Sequence, residues 1–141
     1  MGEFAKAGEF AKALGACPTI AAVKAYFKQA IAAHGYTASA CGAFLPTDHG
    51  PETHFFFQDW PEDWIALYTR RNFVAAEYVV AEARRRIAPF TWLEAKAERT
   101  LSRGEQDIWD TAADWGWTDG LSVPIHGPGG YFGLVTMAGK K

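Results

Sequence analysis

The stretch from Trp60 to Trp92, WPEDWIALYTRRNFVAAEYVVAEARRRIAPFTW, constrains the fold more than any other part of the chain. Pro61 fits the first turn of a helix, and Glu62 and Asp63 suit the positive end of its dipole. Arg70 and Arg71 fall in the last turn, where cations are favoured. Trp64 and Tyr68, four residues apart, share one face of this helix with Leu67 beside them. A second helical pattern runs from about Val74 to Arg86. On it Glu77 lies beside Phe73, Val80 and Ala81 at i−4, i+3 and i+4, a carboxylate on a largely apolar face. Burying that carboxylate is costly unless hydrogen-bond donors meet it. Trp92 closes the stretch just after Pro89.

Trp64, Tyr68, Glu77 and Trp92 together offer an indole donor, a phenol donor, a carboxylate acceptor and a large apolar ring. Such a set complements a small neutral molecule that carries carbonyls and one N–H on an apolar tail. Aromatic residues at helical spacing are also ordinary core packing, and Glu77 can equally be a surface charge at a helix edge. The residues alone leave both readings open.

At 141 residues the chain has the size of one domain with one hydrophobic core. Its six tryptophans are hard to bury without a pocket or a large core. A net charge of −2 provides no electrostatic footprint for DNA or an anionic membrane. No apolar run approaches the ~18 residues that span a bilayer, and no basic region followed by an apolar core opens the chain. A cytoplasmic location is therefore expected. Cys17 and Cys41 match no metal or redox spacing and read as reduced, buried thiols.

Catalytic readings find little support. His34, His49, His54 and His126 are scattered over four elements with no i, i+4 pair, so no metal site is expected. Ser39, Ser102 and Ser122 occupy no nucleophile-elbow motif. Gly127–Gly130 lacks the Lys-Ser/Thr of a phosphate loop, and no helix follows it, so it reads as a hairpin turn. Arg84-Arg85-Arg86 reads as a solvated face. An enzyme using Glu77 as a general base would need a second reactive group within reach, and none is apparent.

Along the chain, GEFAKA occurs twice, at Gly2–Ala7 and Gly8–Ala13. This duplication, within a segment 1–17 that is either an appended tag or a repeated helix, extends or caps a first helix. Thr19 is an N-cap for a helix reaching about His34, with Gly35 closing it. Tyr36–Leu45 and Thr53–Phe57 read as strands joined by a turn at Pro46–Pro51. Glu94–Arg103 reads as a surface connection with some helical content. Gly104–Trp115 forms an amphipathic helix with Ile108, Trp109, Ala112 and Trp115 on one side and Glu105, Asp107, Asp110 and Asp114 mostly on the other. Leu121–Ile125 and Tyr131–Met137 are the last strands. The order predicts an α+β fold, with an antiparallel sheet of four to five strands covered by helices.

The run W-x3-W-x3-Y, then R-N-F, a carboxylate, V-V and P-F-T-W, is followed by A-A-D-W-G, D-G-L-S-V-P-I and G-x-x-G-L-V-T-M-A. In this order and spacing the motifs resemble the autoinducer-binding domain of LuxR-type quorum-sensing regulators, over roughly Thr53 to Gly139. The resemblance implies a single domain over residues 1–141, an α/β/α sandwich with a ligand pocket between the sheet and one helical layer. It further implies no catalysis and no cofactor: the guest is an N-acyl homoserine lactone or a related neutral amphiphile. Trp64 would donate to the lactone carbonyl and Tyr68 to the acyl carbonyl. Glu77 would accept the amide N–H, and Trp92 would pack on the lactone ring. Trp60, Ile108, Trp109, Ala112 and Trp115 would line or back the pocket. Thr136 would offer a hydroxyl, and Gly120 matches a structural glycine at a strand start.

Partners implied are the autoinducer and a second subunit, as a homodimer or a heterodimer with a LuxR-type regulator. The family reads DNA with a separate C-terminal helix-turn-helix module. No such module follows Gly139 here, so this chain is expected to make no direct DNA contact. One departure is Glu77-Tyr78 where the family has an aspartate-proline pair. Glutamate reaches about 1–1.5 Å further, enough to lose a hydrogen bond if nothing else moves. The alternatives are a shifted ligand, a shifted helix, a guest other than a lactone, or a truncated homologue that acts on a full-length regulator.

Overall fold

The computed structural model describes residues 2–45, 47–49, 52–71, 73 and 78–140. Two helices lead: α1 (Glu3–Gly15) and α2 (Ile20–Ala32). The hydroxyl of Thr19 caps α2 by accepting from the Ala22 N–H at 3.1 Å, and Gly35, at φ 89°, turns the chain into the sheet. The GEFAKA duplication therefore forms a helix of its own. Its Phe10 packs on Tyr26 and Phe27 of α2, with ring centroids 5.7 and 6.3 Å apart.

Strands β1 (Tyr36–Leu45) and β2 (Glu52–Asp59) form a hairpin, followed by α3 (Glu62–Arg70) and α4 (Tyr78–Arg85). A two-residue strand β3 (Phe90–Thr91) runs into α5 (Trp92–Ala97), and α6 (Arg103–Asp114) precedes β4 (Asp119–His126). A 3₁₀ turn at Pro128–Gly130 joins β4 to β5 (Phe132–Gly139). The five strands pair antiparallel in the order β2-β1-β5-β4-β3. The fold is an α+β sandwich.

A bulge in the β1–β2 ladder decides which β2 aromatic faces which layer. Cys41 pairs with Phe57, but Gly42 pairs with Phe55, so Phe56 is the extra residue. Phe57 then meets Phe27 of α2, centroids 5.6 Å apart. Phe55 falls on the opposite face, over Gly42, where a Cβ would stand 3.3 Å from its ring. On that second face α3 and α6 bury Trp64, Phe73, Ile108, Ala112 and Trp117 against Ala38 and Ala138. Beside them α4 and α5 bury Tyr78, Val79, Ala83 and Ala95 against Phe90, Phe132 and Leu134.

Three expectations need correction. The cysteines are free but half-buried. Glu105 faces inward: its carboxylate accepts from Arg99 Nη2 at 2.6 Å and from the Ser102 N–H at 2.9 Å, while the Ser102 hydroxyl accepts from the Glu105 N–H at 3.2 Å. This reciprocal cap satisfies two orphan donors at the start of α6. Nor is Arg84-Arg85-Arg86 a uniformly solvated face. Arg85 Nη2 and Arg86 Nε donate to Glu82 Oε2 at 2.7 and 3.0 Å, and Arg99 Nη1 reaches Glu82 Oε1 at 3.2 Å. Glu82 is 3% exposed. Burial alone would push its carboxyl up, but the hydrogen bonds and charges of Arg86 and Arg85 outweigh it, and its pKa falls below the ordinary glutamate value. This network ties α4 to α6 through the segment that follows α5.

Candidate functional site

Between the sheet and helices α3 to α6 lies a cavity of about 680 Å³, within the range of small-molecule sites. Its floor comes from alternate residues of the two central strands, Ala40, Gly42 and Phe44 of β1 and Leu134 and Thr136 of β5. Small residues at positions 40 and 42 make the room. Trp64, Tyr68, Tyr78, Trp92, Ile108 and Ala112 close the helical side. The lining residues Thr53 and Phe55 of β2, Ile65 and Thr69 of α3, and Ala81 and Arg84 of α4 are exposed, so the cavity opens to solvent between these elements.

Trp64 is the centre of an aromatic cluster. Its ring lies 5.0 Å from Trp117 at 88° and 5.7 Å from Trp115 at 74°, both edge-to-face. Tyr68 follows one turn later, centroids 6.3 Å apart. Trp64 is only 6% exposed, yet its indole N–H has no acceptor among the described residues. No fully occluded side-chain N or O atom among those residues lacks a partner. The Trp64 N–H therefore faces open space, and Trp64 lines the cavity.

Trp92 is arranged differently. Its indole N–H donates to Ser122 Oγ at 3.3 Å, and Ser122 Oγ lies 3.0 Å from Thr136 Oγ1. Ser122 and Thr136 are register partners on β4 and β5. Thr136 thus presents a hydroxyl to the cavity that is already oriented by a neighbour. Trp92 reaches this place because Gly120 leaves the space its ring occupies.

Of the residues expected at the site, Trp60, Trp64, Tyr68, Trp92, Ile108, Trp109, Ala112 and Thr136 line the cavity. Trp115 stands behind the wall, stacked on Trp117 at 5.7 Å and 19°. Glu77 lies outside the described residues. Trp117 is among the lining residues that sequence reasoning missed, and a signal for it existed. The Gly116 N–H bonds to Ala113 O at 2.9 Å and the Trp117 N–H to Ala112 O at 3.0 Å. Gly116 has φ 88°. This is the glycine-ended helix stop in which the next apolar residue folds back on the last turn, and it swings Trp117 beneath Trp64. There Trp117 donates to Thr37 Oγ1 at 3.1 Å. Arg84 was also missed as a lining residue.

The sequence profile described as the autoinducer binding domain matches residues 19–141. The chain belongs to the autoinducer-binding domain family. The quorum sensing-dependent transcriptional regulator RpaR of Rhodopseudomonas palustris is 29% identical over 114 residues, which are 81% of this chain and 46% of that protein. This autoinducer-binding domain thus spans less than half the length of that relative. Its fold matches the crystal structure of Escherichia coli SdiA, with a TM-score of 0.80 at 16% identity, covering 99% of this chain and 57% of that one. SdiA in complex with octanoyl-rac-glycerol matches with a TM-score of 0.76 at 17% identity, over 99% of this chain and 55% of that one. The N-acylhomoserine lactone-dependent factor CepR2 of Burkholderia cenocepacia matches with a TM-score of 0.72 at 21% identity, over 95% and 76%.

No group of three or more His, Cys, Asp or Glu side chains suited to a metal ion occurs among the described residues. None of the described helices is long and apolar enough to cross a membrane.

Proposed function

We propose that this domain senses an N-acyl homoserine lactone held in the cavity between the sheet and α3 to α6. The observation that carries the reading is Trp64: a buried indole whose N–H has no acceptor among the described residues and which lines a mostly apolar space. A guest carbonyl satisfies it. The head of the guest then sits among Trp64, Tyr68, Trp92 and Thr136, with Trp64 donating to the lactone carbonyl and Tyr68 to the acyl carbonyl. Trp92 packs against the lactone ring, and Thr136 adds a hydroxyl to the guest's amide or carbonyl. Glu77 accepts the amide N–H in this reading, on the strength of its position in the sequence. The acyl tail runs along the floor from Ala40 toward Phe44.

The guest need not contact DNA or a membrane to act. Its signal passes to a regulator, either through a second copy of the domain or through a full-length partner. Membership of the autoinducer-binding domain family supports binding over turnover.

A neutral amphiphile without a lactone is the second reading. Glu77 in place of aspartate favours it, and SdiA with octanoyl-rac-glycerol shows a guest of that kind in the same fold. Expression in the presence of mixed acyl homoserine lactones, followed by native mass spectrometry, separates the two. Retention of a lactone supports the first reading. Retention of a monoacylglycerol with all lactones excluded supports the second.

A further inference from the structure

We propose that the tail of the guest ends in a carboxylate, which Arg84 receives at the mouth of the cavity. The inference rests on the sensing role proposed above and specifies its ligand class. Arg84 is the one Lys or Arg among the described lining residues. Its guanidinium carbon lies 5.1 Å from the ring centroid of Phe44 and 5.0 Å from that of Phe132, and the two rings stack at 5.3 Å. Two aromatic faces thus hold the cation in place.

The neighbours of Arg84 make its state informative. Arg85 and Arg86 both bond to Glu82, and Arg86 Nη2 also reaches Glu98 Oε2 at 2.6 Å. Arg84 has no carboxylate within ion-pair distance among the described residues. Two of three consecutive arginines are neutralised from within the fold, and the one directed at the cavity is left for an anion from outside. Guanidinium stays charged at all relevant pH and matches a carboxylate with two parallel bonds.

The strand register gives the distance this guest must span. Thr136 pairs with Ala40 and Phe132 with Phe44, so the two ends of the floor are four residues apart on each strand. At about 3.3 Å per residue that is roughly 13 Å. An extended chain of roughly ten bonds, each advancing about 1.3 Å, covers it. A neutral head beside Thr136 and Trp64 then delivers its tail terminus to Arg84. That terminus meets an exposed side chain, so the carboxylate keeps part of its hydration and avoids the full cost of a buried ion pair.

The test compares N-decanoyl homoserine lactone with the analogue that bears a carboxylate in place of the terminal methyl, titrated into the full chain by calorimetry. The wild-type chain is expected to bind the carboxylate form about tenfold more tightly. Arg84→Gln abolishes that preference, so that the two forms bind alike, and Arg84→Lys retains part of it. Equal or tighter binding of the decanoyl form by the wild type overturns the carboxylate proposal and leaves the sensing role standing. Equal loss of both ligands in Arg84→Gln also overturns it, since Arg84 would then act only by packing on Phe44 and Phe132. Failure of both lactones to bind the wild type removes the lactone ligand class on which this inference rests, and overturns the inference with it.

Discussion

A Cβ on Gly120 would stand 2.2 Å from Cε2 of Trp92. The glycine is therefore the negative image of an indole, and the placement of Trp92 over Ser122 and Thr136 depends on it. The backbone adds a second barrier, because the same Cβ would lie 2.7 Å from the Met137 carbonyl oxygen. Gly120→Ala is expected to displace Trp92, break its bond to Ser122, and cost about 1–3 kcal/mol. Chemical denaturation measures the loss. Gly120→Ala combined with Trp92→Ala should cost less than the sum of the single changes, because the clash with the indole is gone, but more than Trp92→Ala alone, because Met137 still blocks the methyl.

Trp115 and Trp117 are two residues apart, stacked on each other, and unequal. Only Trp117 reaches the cavity, and it also bonds to Thr37. Trp117→Phe is expected to weaken ligand binding severalfold and to lower stability by about 1 kcal/mol through the lost hydrogen bond. Trp115→Phe is expected to leave affinity within about twofold of the wild type. Paired titrations and melts of the two variants check this.

Glu82 anchors three arginines while itself buried, so its removal leaves cations without a partner. Two of them, Arg85 and Arg99, retain contact with water, with side-chain exposures of 60% and 27%, which moderates the cost. Glu82→Gln is expected to destabilise the domain by about 2–3 kcal/mol at neutral pH. The pH dependence follows from the direction of the shift. The folded-state pKa of Glu82 is depressed, so its contribution is complete above the unfolded value, about 4.3, and is lost as pH falls through the folded one. Denaturation midpoints of Glu82→Gln and wild type should therefore converge as the pH drops below about 4.

Much of this architecture is written locally. Thr19 as a cap, Gly35 as a turn and the run of small residues in β1 mark their elements because each depends on neighbours within a few residues. The aromatic wall of the site was legible for the same reason: Trp64 and Tyr68 are one helical turn apart, and so are Ile108 and Ala112. Long-range facts were not legible. The bulge that parts Phe55 from Phe57 depends on the pairing partner, and Arg84 acquires its place from two phenylalanines on different strands. Glu105 looked solvent-facing because helical periodicity assigns sides without knowing that Arg99 comes to meet it. The capping box S-x-x-E at Ser102 was available as a warning, as was the apolar residue after Gly116. The family resemblance supplied what spacing could not, namely the likeness of the whole motif series to an autoinducer-binding domain.

The central claim is that Trp64 keeps its N–H for a guest. Titration of an acyl homoserine lactone that binds the wild-type domain into Trp64→Phe tests it most directly, with the melting temperatures of both unliganded proteins as a control. The account predicts roughly tenfold weaker binding from the one lost donor, beside a lower unliganded melting temperature from the smaller ring in the aromatic cluster. Equal affinity for wild type and variant would contradict it.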